Sequence, residues 1–197
     1  MSLLTPNQPI ETGFDYTVSI PATSRIVEPQ DIKDNMIFPD TDLQDPILSR
    51  LINSVVAKFE KECNLTIETK TYTAYWKTVG WVLPLPFPPI ITVTSATFIS
   101  AYDGSETALT ENTEYWIEGV KNKKIHFMTL PIGIGFDHGL KVVYSAGLTD
   151  YNDKELAKEA IITECTEWFD NRGNTTDVQL YKLSNTAKNK IRSLMNW

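Results

Sequence analysis

Hydrophobic and polar positions change period twice along this chain, and the changes divide it into helical, extended and again helical stretches. An opening arm, 1–27, is rich in Pro, Thr and Ser. It holds one alternating run, Phe14-Asp15-Tyr16-Thr17-Val18-Ser19-Ile20, which predicts a strand that completes a sheet or reaches a neighbour. Glu28-Pro29-Gln30-Asp31 then opens a short helix through about Phe38, with proline in the first turn. Asp45-Pro46 starts a long helix, read with Asp45 as the cap. Its apolar stripe is Ile47, Leu48, Leu51, Ile52, Val55, Val56 and Phe59, ending near Asn64.

From Thr66 to Trp76 the period drops from 3.6 to 2, and β-branched and aromatic residues alternate with polar ones, as in a strand. Leu83-Pro84-Leu85-Pro86-Phe87-Pro88-Pro89 is excluded from a helix or a central strand, because proline lacks the amide donor; it reads as an extended crossing. Ile90 to Tyr102 is a strand ending at the turn Asp103-Gly104. Tyr115–Glu118 and Lys124–Phe127 form a hairpin, and Leu140 to Ser145 is the last strand. A second long helix follows, with Asn152 and Glu155 at capping-box spacing. Its stripe is Leu156, Ala157, Ala160, Ile161, Cys165, Trp168 and Phe169, and it closes on Asp170-Asn171-Arg172-Gly173. Thr175 to Leu183 reads as a polar linker, and Ser184 to Met195 as a basic helix capped by Ser184.

Helices, about five strands, then helices again indicate the α+β class: a small helical bundle of two long helices plus short terminal ones, with an inserted antiparallel β-sheet block. The expected organisation is an extended arm at 1–27, a bundle from 28–64 and 151–197, and a β-rich subdomain at 65–150. A length of 197 residues suits one such unit.

Composition narrows function mainly by exclusion. The net charge of −7 argues against nucleic-acid binding by phosphate neutralisation, which needs a basic face. The N-terminus lacks the basic and apolar regions of a secretory leader, and no run approaches the roughly 20 apolar residues of a membrane span. Cys63 and Cys165 each fall on an apolar helix face, as buried thiols in a reducing compartment or as a disulfide between the helices.

No catalytic constellation emerges. His126 and His138 have no metal-ligand spacing around them, so neither a metal nor a cofactor is expected. Gly133 to Gly139 is glycine-rich but precedes a strand, whereas a phosphate cradle precedes a helix. Asp40, Asp42 and Asp45, like Glu111 and Glu114, read as caps and solvated loops. The aromatics Trp76, Trp81, Phe87, Tyr115 and Trp116 concentrate in the β block, where they are core or interface.

Four segments in order resemble the head-to-tail connector (adaptor, or head-completion) family of tailed bacteriophages. "VEPQDIKDNMIF" with "DPILSRLINSVVAKFEKECNLTIETKTY" is similar to its short helix, long helix and first strand. "LPLPFPPIITVTSATFISAYDG" resembles its proline-rich crossing and following strand. "LKVVYSAGL" with "ELAKEAIITECTEWFDNRG" resembles its last strand and second long helix, and "NTAKNKIRSLMNW" its closing helix. The resemblance spans roughly residues 18–197. Here Ser193-Leu194-Met195 stands where the family often has a Leu-Leu pair, and residues 1–17 have no counterpart.

The resemblance implies a structural virion protein without enzymatic activity or cofactor, located at the neck of the capsid's portal vertex. It implies a ring of about twelve copies beneath the portal protein, closed by one repeated heterologous interface. Such a ring extends the DNA channel, passes DNA without sequence-specific binding, and carries the next neck or tail-completion protein. At −7 per copy the ring carries roughly −80, a lining that repels phosphates only within about 8 Å at physiological salt. The closing helix, with Lys188, Lys190, Ile191, Arg192, Leu194, Met195 and Trp197, is the expected portal-binding element. Trp81, Phe87, Tyr102, Asp103 and Trp116 are the expected tail-side or inter-subunit contacts. The competing readings are a monomeric protein- or carbohydrate-binding β-module with helical flanks, and a small hydrolase bringing a carboxylate and a histidine together.

Overall fold

A computed structural model describes residues 14–22, 24–36, 44–100, 102–128 and 139–171, with the single position 189 beyond them. In chain order the elements are β1 (Phe14–Ile20), α1 (Pro29–Met36), α2 (Asp45–Cys63), β2 (Lys70–Trp76), β3 (Val82–Pro84), β4 (Ile90–Ile99), β5 (Glu106–Leu109), β6 (Tyr115–Glu118), β7 (Lys124–Phe127), β8 (Leu140–Ala146) and α3 (Tyr151–Asn171). The class is α+β, with two antiparallel sheets ordered β1-β2-β8-β4-β5 and β3-β7-β6.

The six strands expected, one in the arm and about five in the β block, are eight among the described residues, β3 and β5 being the additions. The short β5 carries little signal of its own, because Glu106-Thr107-Ala108-Leu109 has too little apolar alternation; pairing with β4 makes it a strand. The strand expected from Thr66 starts at Lys70, and the one expected to reach Tyr102 ends at Ile99. Residues 66–69 are instead spent on tertiary hydrogen bonds. Thr66 N–H donates to the Pro88 carbonyl at 2.7 Å, and Ile67 N–H donates to Glu60 Oε1 at 3.0 Å.

Both long helices begin one or more residues away from their expected caps. Gln44, not Asp45, holds the N-cap of α2 and offers no side-chain cap bond; Asp45 is turned to an ion pair with Lys33 of α1. At α3 the cap is Asp150, whose Oδ1 accepts from the amides of Asn152 at 2.9 Å and Asp153 at 3.2 Å. Asn152 therefore donates its backbone to the cap instead of being the cap. At the far end of α2, Asn64 takes the left-handed conformation (φ 50°) and its amide reaches the Glu60 carbonyl. Arg172 and Gly173, expected to close α3, and the helix expected at 184–195 lie outside the described residues, apart from position 189.

Two buried clusters result. The first joins Ile32 of α1, Leu48, Ile52, Val55, Val56 and Phe59 of α2, and Ala157, Ala160, Ile161 and Cys165 of α3. The two long helices pack on each other as expected, and Cys63 and Cys165 are buried thiols not joined in a disulfide. Burial, first, and the neighbouring Glu164 charge push the Cys165 thiol up to about 12, so it stays an unreactive thiol at neutral pH. The second cluster lies between the sheets. Tyr72, Ala74, Trp76, Leu140, Val142 and Tyr144 come from the larger sheet, and Leu83, Ile125 and Phe127 from the smaller. In β8 every second residue is buried, as expected of a strand flanked on both sides.

β1 precedes the helices in sequence yet joins the sheet made after them, pairing antiparallel with β2 from Phe14↔Trp76 to Ile20↔Thr71. Of the two expectations for the arm, completion of its own sheet is the one seen. The junction between helices and sheets is tight. Gly147 N–H donates to the Pro89 carbonyl at 2.9 Å, and Leu148 N–H to the Ile67 carbonyl at 3.1 Å. At φ +148°, a Cβ on Gly147 would stand 2.7 Å from Thr69 Cα, so only glycine fits there. Lys121 and Asp153 (2.7 Å) and Lys70 and Glu60 add ion pairs across the same seam.

Candidate functional site

The predicted contact residues fall on three separate parts of the β region. The outer face of the smaller sheet carries the first. Strand register places Val82, His126 and Trp116 in one cross-strand row. The Trp116 ring stacks on His126 with centroids 4.8 Å apart and planes 16° from parallel, and His126 Nε2 meets Glu118 Oε2. Val82, Trp116 and Met128 are exposed, and Trp81, just before β3, is 60% exposed. The result is an exposed apolar and aromatic surface on a sheet fixed from beneath by Leu83, Ile125 and Phe127.

The β4–β5 turn carries the second. Tyr102 is fully exposed. Asp103 works within the turn: its Oδ1 accepts from Ser105 N–H at 3.1 Å and Ser105 Oγ at 2.8 Å. These bonds, the Ser105 amide first, hold the Asp103 carboxyl below its ordinary range. Gly104 completes the reversal with φ +71°. A rigid turn thus carries a protruding tyrosine.

Phe87 does something different from what its sequence position suggested. It lies against Tyr16 at 4.6 Å and Tyr72 at 5.3 Å between ring centroids, closing the sandwich on the β1 side. Its backbone sits at φ +60°, uncommon for a bulky side chain, and its carbonyl accepts from Thr66 Oγ1 at 2.9 Å. With the Thr66 hydroxyl proton so used, Tyr72 OH donates in turn to Thr66 Oγ1 at 3.2 Å. Tyr144 OH donates to the Pro86 carbonyl at 3.0 Å. Burial raises the Tyr72 hydroxyl to about 12, and that of Tyr144 further still; both serve to tie down the proline-rich crossing.

β1, predicted from its alternation, carries an apolar row outside the expected contact residues. Phe14, Tyr16, Val18 and Ile20 are all exposed on a strand whose outer edge has no neighbour among the described residues. The alternation of FDYTVSI was visible; its incomplete covering was not. Matching YWIE to KIHF across the hairpin sets His126 opposite Trp116, a pairing legible in the sequence. Among the described residues no group of three or more His, Cys, Asp or Glu could hold a metal ion, and no helix is long and apolar enough to cross a membrane. Lys188, Lys190, Ile191, Arg192, Leu194, Met195 and Trp197 lie outside the described residues, as do His138 and the glycine-rich turn before it.

No protein-family model matches the chain, and no curated protein matches it by sequence. Solved structures do share its fold. A chain in the "neck of empty GTA particle computed with C6 symmetry", a gene transfer agent, superposes with a TM-score of 0.69 at 15% identity, covering 92% of this chain and 94% of that one. A chain of the native gene transfer agent virion gives 0.66 at 14% identity, over 88% of this chain and 93% of that one. A chain in the native particle's neck, computed with C12 symmetry, gives 0.61 at 13% identity, over 87% and 93%. The fold of this chain is therefore that of these chains from gene transfer agent particles.

Proposed function

We propose that this chain is a structural neck protein of a phage-type particle, a ring subunit that lies beneath the portal, extends the DNA channel and links capsid to tail. The observation that carries the reading is mutual coverage: the likeness to the C6 neck chain takes in 92% of this chain and 94% of the other, so the two share their architecture nearly end to end over the compared lengths. A second support is the character of the perturbed groups. Tyr72, Tyr144 and Cys165 are shifted by burial in packed cores, the signature of architecture more than of acid–base chemistry.

In this reading each copy needs two unlike, complementary faces, repeated until the ring closes. The Trp81–Val82–His126–Trp116 surface and the Tyr102 turn serve contacts with neighbouring copies or the tail-side protein. Tryptophan and tyrosine on a rigid support are the residues that most often anchor such interfaces. The basic stretch 184–197 docks the portal protein, and the acidic balance lines a channel that does not hold DNA. No catalysis is involved.

Mixing purified chain with the portal ring of the same particle tests this. Full-length chain is expected to bind the portal as a ring. Chain ending at residue 183 is expected to keep its thermal unfolding transition and lose portal binding. Undiminished binding by the shortened chain would move the portal contact elsewhere.

A further inference from the structure

We propose that the outer edge of β1 pairs with the same edge of a second copy of this chain, antiparallel about Tyr16, and that Asp15 guards this pairing. Sheet order leaves that edge without a neighbour among the described residues. The main-chain groups it offers follow from the ladder. Ile99 N–H donates to the Gly139 carbonyl at 3.0 Å, so Gly139 faces β4 and Leu140 faces β2. Alternation through the pairs Leu140↔Trp76 and Trp76↔Phe14 then turns Phe14, Tyr16 and Val18 away from β2, while Asp15 and Thr17 bond to it. A second observation agrees. The Tyr16 N–H donates to Asp15 Oδ1 at 2.8 Å, a bond made outside the ladder.

The outward residues are also the apolar ones. Phe14, Tyr16 and Val18 are 40%, 44% and 44% exposed, and their partners on β2 are the buried Trp76, Ala74 and Tyr72. The row therefore extends the face that packs between the two sheets, past the point where the smaller sheet covers it. Apolar side chains and unpaired main-chain groups meet on one edge, which is what a further strand would cover.

The sequence of the strand selects that further strand. On a two-fold axis at Tyr16, Val18 N–H meets the carbonyl of the partner's Phe14, and the two copies of Tyr16 exchange N–H and C=O. Phe14 lies beside the partner's Val18 on the apolar face. Asp15 lies beside the partner's Thr17 on the other face, so no like charges stand opposite each other. The remaining edges suit it less. β3 is three residues ending in Pro84, and β5 and β6 are four residues each, with Glu106 and Glu118 like in charge to Asp15. β1 itself has seven residues and neither the proline nor the lysine that usually blunts an edge. Asp15 is its guard: the carboxylate competes with the partner for the Tyr16 amide and keeps the pairing reversible. The contact is isologous, whereas a ring closes through a head-to-tail one, so it joins copies outside the ring and does not depend on the ring reading.

Sedimentation velocity and residue-resolved amide exchange by NMR, on the full-length chain across a concentration series, test the pairing. A reversible dimer is expected, with the Val18 amide exchanging at least about tenfold more slowly in concentrated than in dilute samples. The Thr17 amide, already bonded to β2, should change far less. Val18→Pro removes an outward donor without touching the β2 ladder and should raise the dimer dissociation constant at least about tenfold. Asp15→Ala releases the Tyr16 amide and should tighten the dimer several-fold. In both variants the amides of β2 and β8 should stay protected. A chain monomeric at every concentration would overturn the proposal. So would a Val18 amide protected equally at all dilutions, which would mean that the chain covers its own edge, or a dimer that neither substitution alters. Weaker association on Asp15→Ala would overturn it too, whether or not Val18→Pro folds.

Discussion

The helical cluster and the sheet cluster solve the same problem with different side chains. Around α1, α2 and α3 the buried residues are almost all aliphatic, with Phe59 and Phe169 the two aromatic ones. Between the sheets five aromatic residues, Tyr72, Trp76, Tyr115, Phe127 and Tyr144, do most of the filling. Aliphatic ridges on helices interdigitate and seal. Large rings on a twisted sheet fill space too, but their hydroxyls must find partners, and the edges of the stack stay open. The β1 row and the Trp116–His126 pair are where the sheet region remains open. One region is sealed; the other leaves aromatic and apolar surface exposed.

Removing one aromatic ring from each region would sharpen that contrast most. Phe59→Ala empties a fully buried site in the helical cluster and should cost about 3–5 kcal/mol in chemical unfolding. Tyr16→Ala removes ring contacts to Tyr72 and Phe87 from a half-open site and should cost about 1 kcal/mol, with faster amide exchange confined to β1 and the crossing. Equal losses would mean the two clusters are one cooperative core with no difference in closure. A smaller effect separates two readings of the α3 cap. Asp150→Ala should cost about 1 kcal/mol while Asn152→Ala changes little, and the reverse order would restore the capping box read from sequence.

The smallest effect lies at the seam between the regions. Desolvation, more than any neighbouring charge, raises the Glu68 carboxyl above its ordinary range, partly offset by the amide of Ile26 and by Lys70. A folded-state value above the unfolded one means the charged form is penalised in the native protein. That penalty is full above the folded-state value and vanishes once pH falls below the unfolded one. Glu68→Gln should therefore stabilise the protein at neutral pH by less than about 1 kcal/mol, the side chain being only half-buried. The advantage should disappear near about pH 4, as thermal unfolding across a pH series would reveal.

Much of this was legible in the chain, and what was not has identifiable reasons. The stripes of α2 and α3, the hairpin of β6 and β7, and the strand-forming run of β8 follow from period alone, because each buries one face. β5 escaped notice because a four-residue edge strand needs a partner more than a pattern. The caps slipped because Asp45 and Asn152 carry suitable side chains while Lys33 and Asp150 decide their use. Phe87 reads as core or interface within an extended proline-rich crossing; only the return of β1 from the far end of the sequence shows it packed against Tyr16 and Tyr72. Trp81, Tyr102 and Trp116 were chosen by residue type, and the structure leaves all three exposed. The terminal stretch chosen for the portal lies outside the described residues.

Electron microscopy of the purified chain mixed with the portal ring of its own particle addresses the central claim most directly. The account predicts a closed ring of this chain stacked coaxially on the portal, with the smaller sheet and the Tyr102 turn at contacts between copies or on the tail side. A chain that stays monomeric and unbound in that mixture, at concentrations where the portal itself is intact, would contradict it.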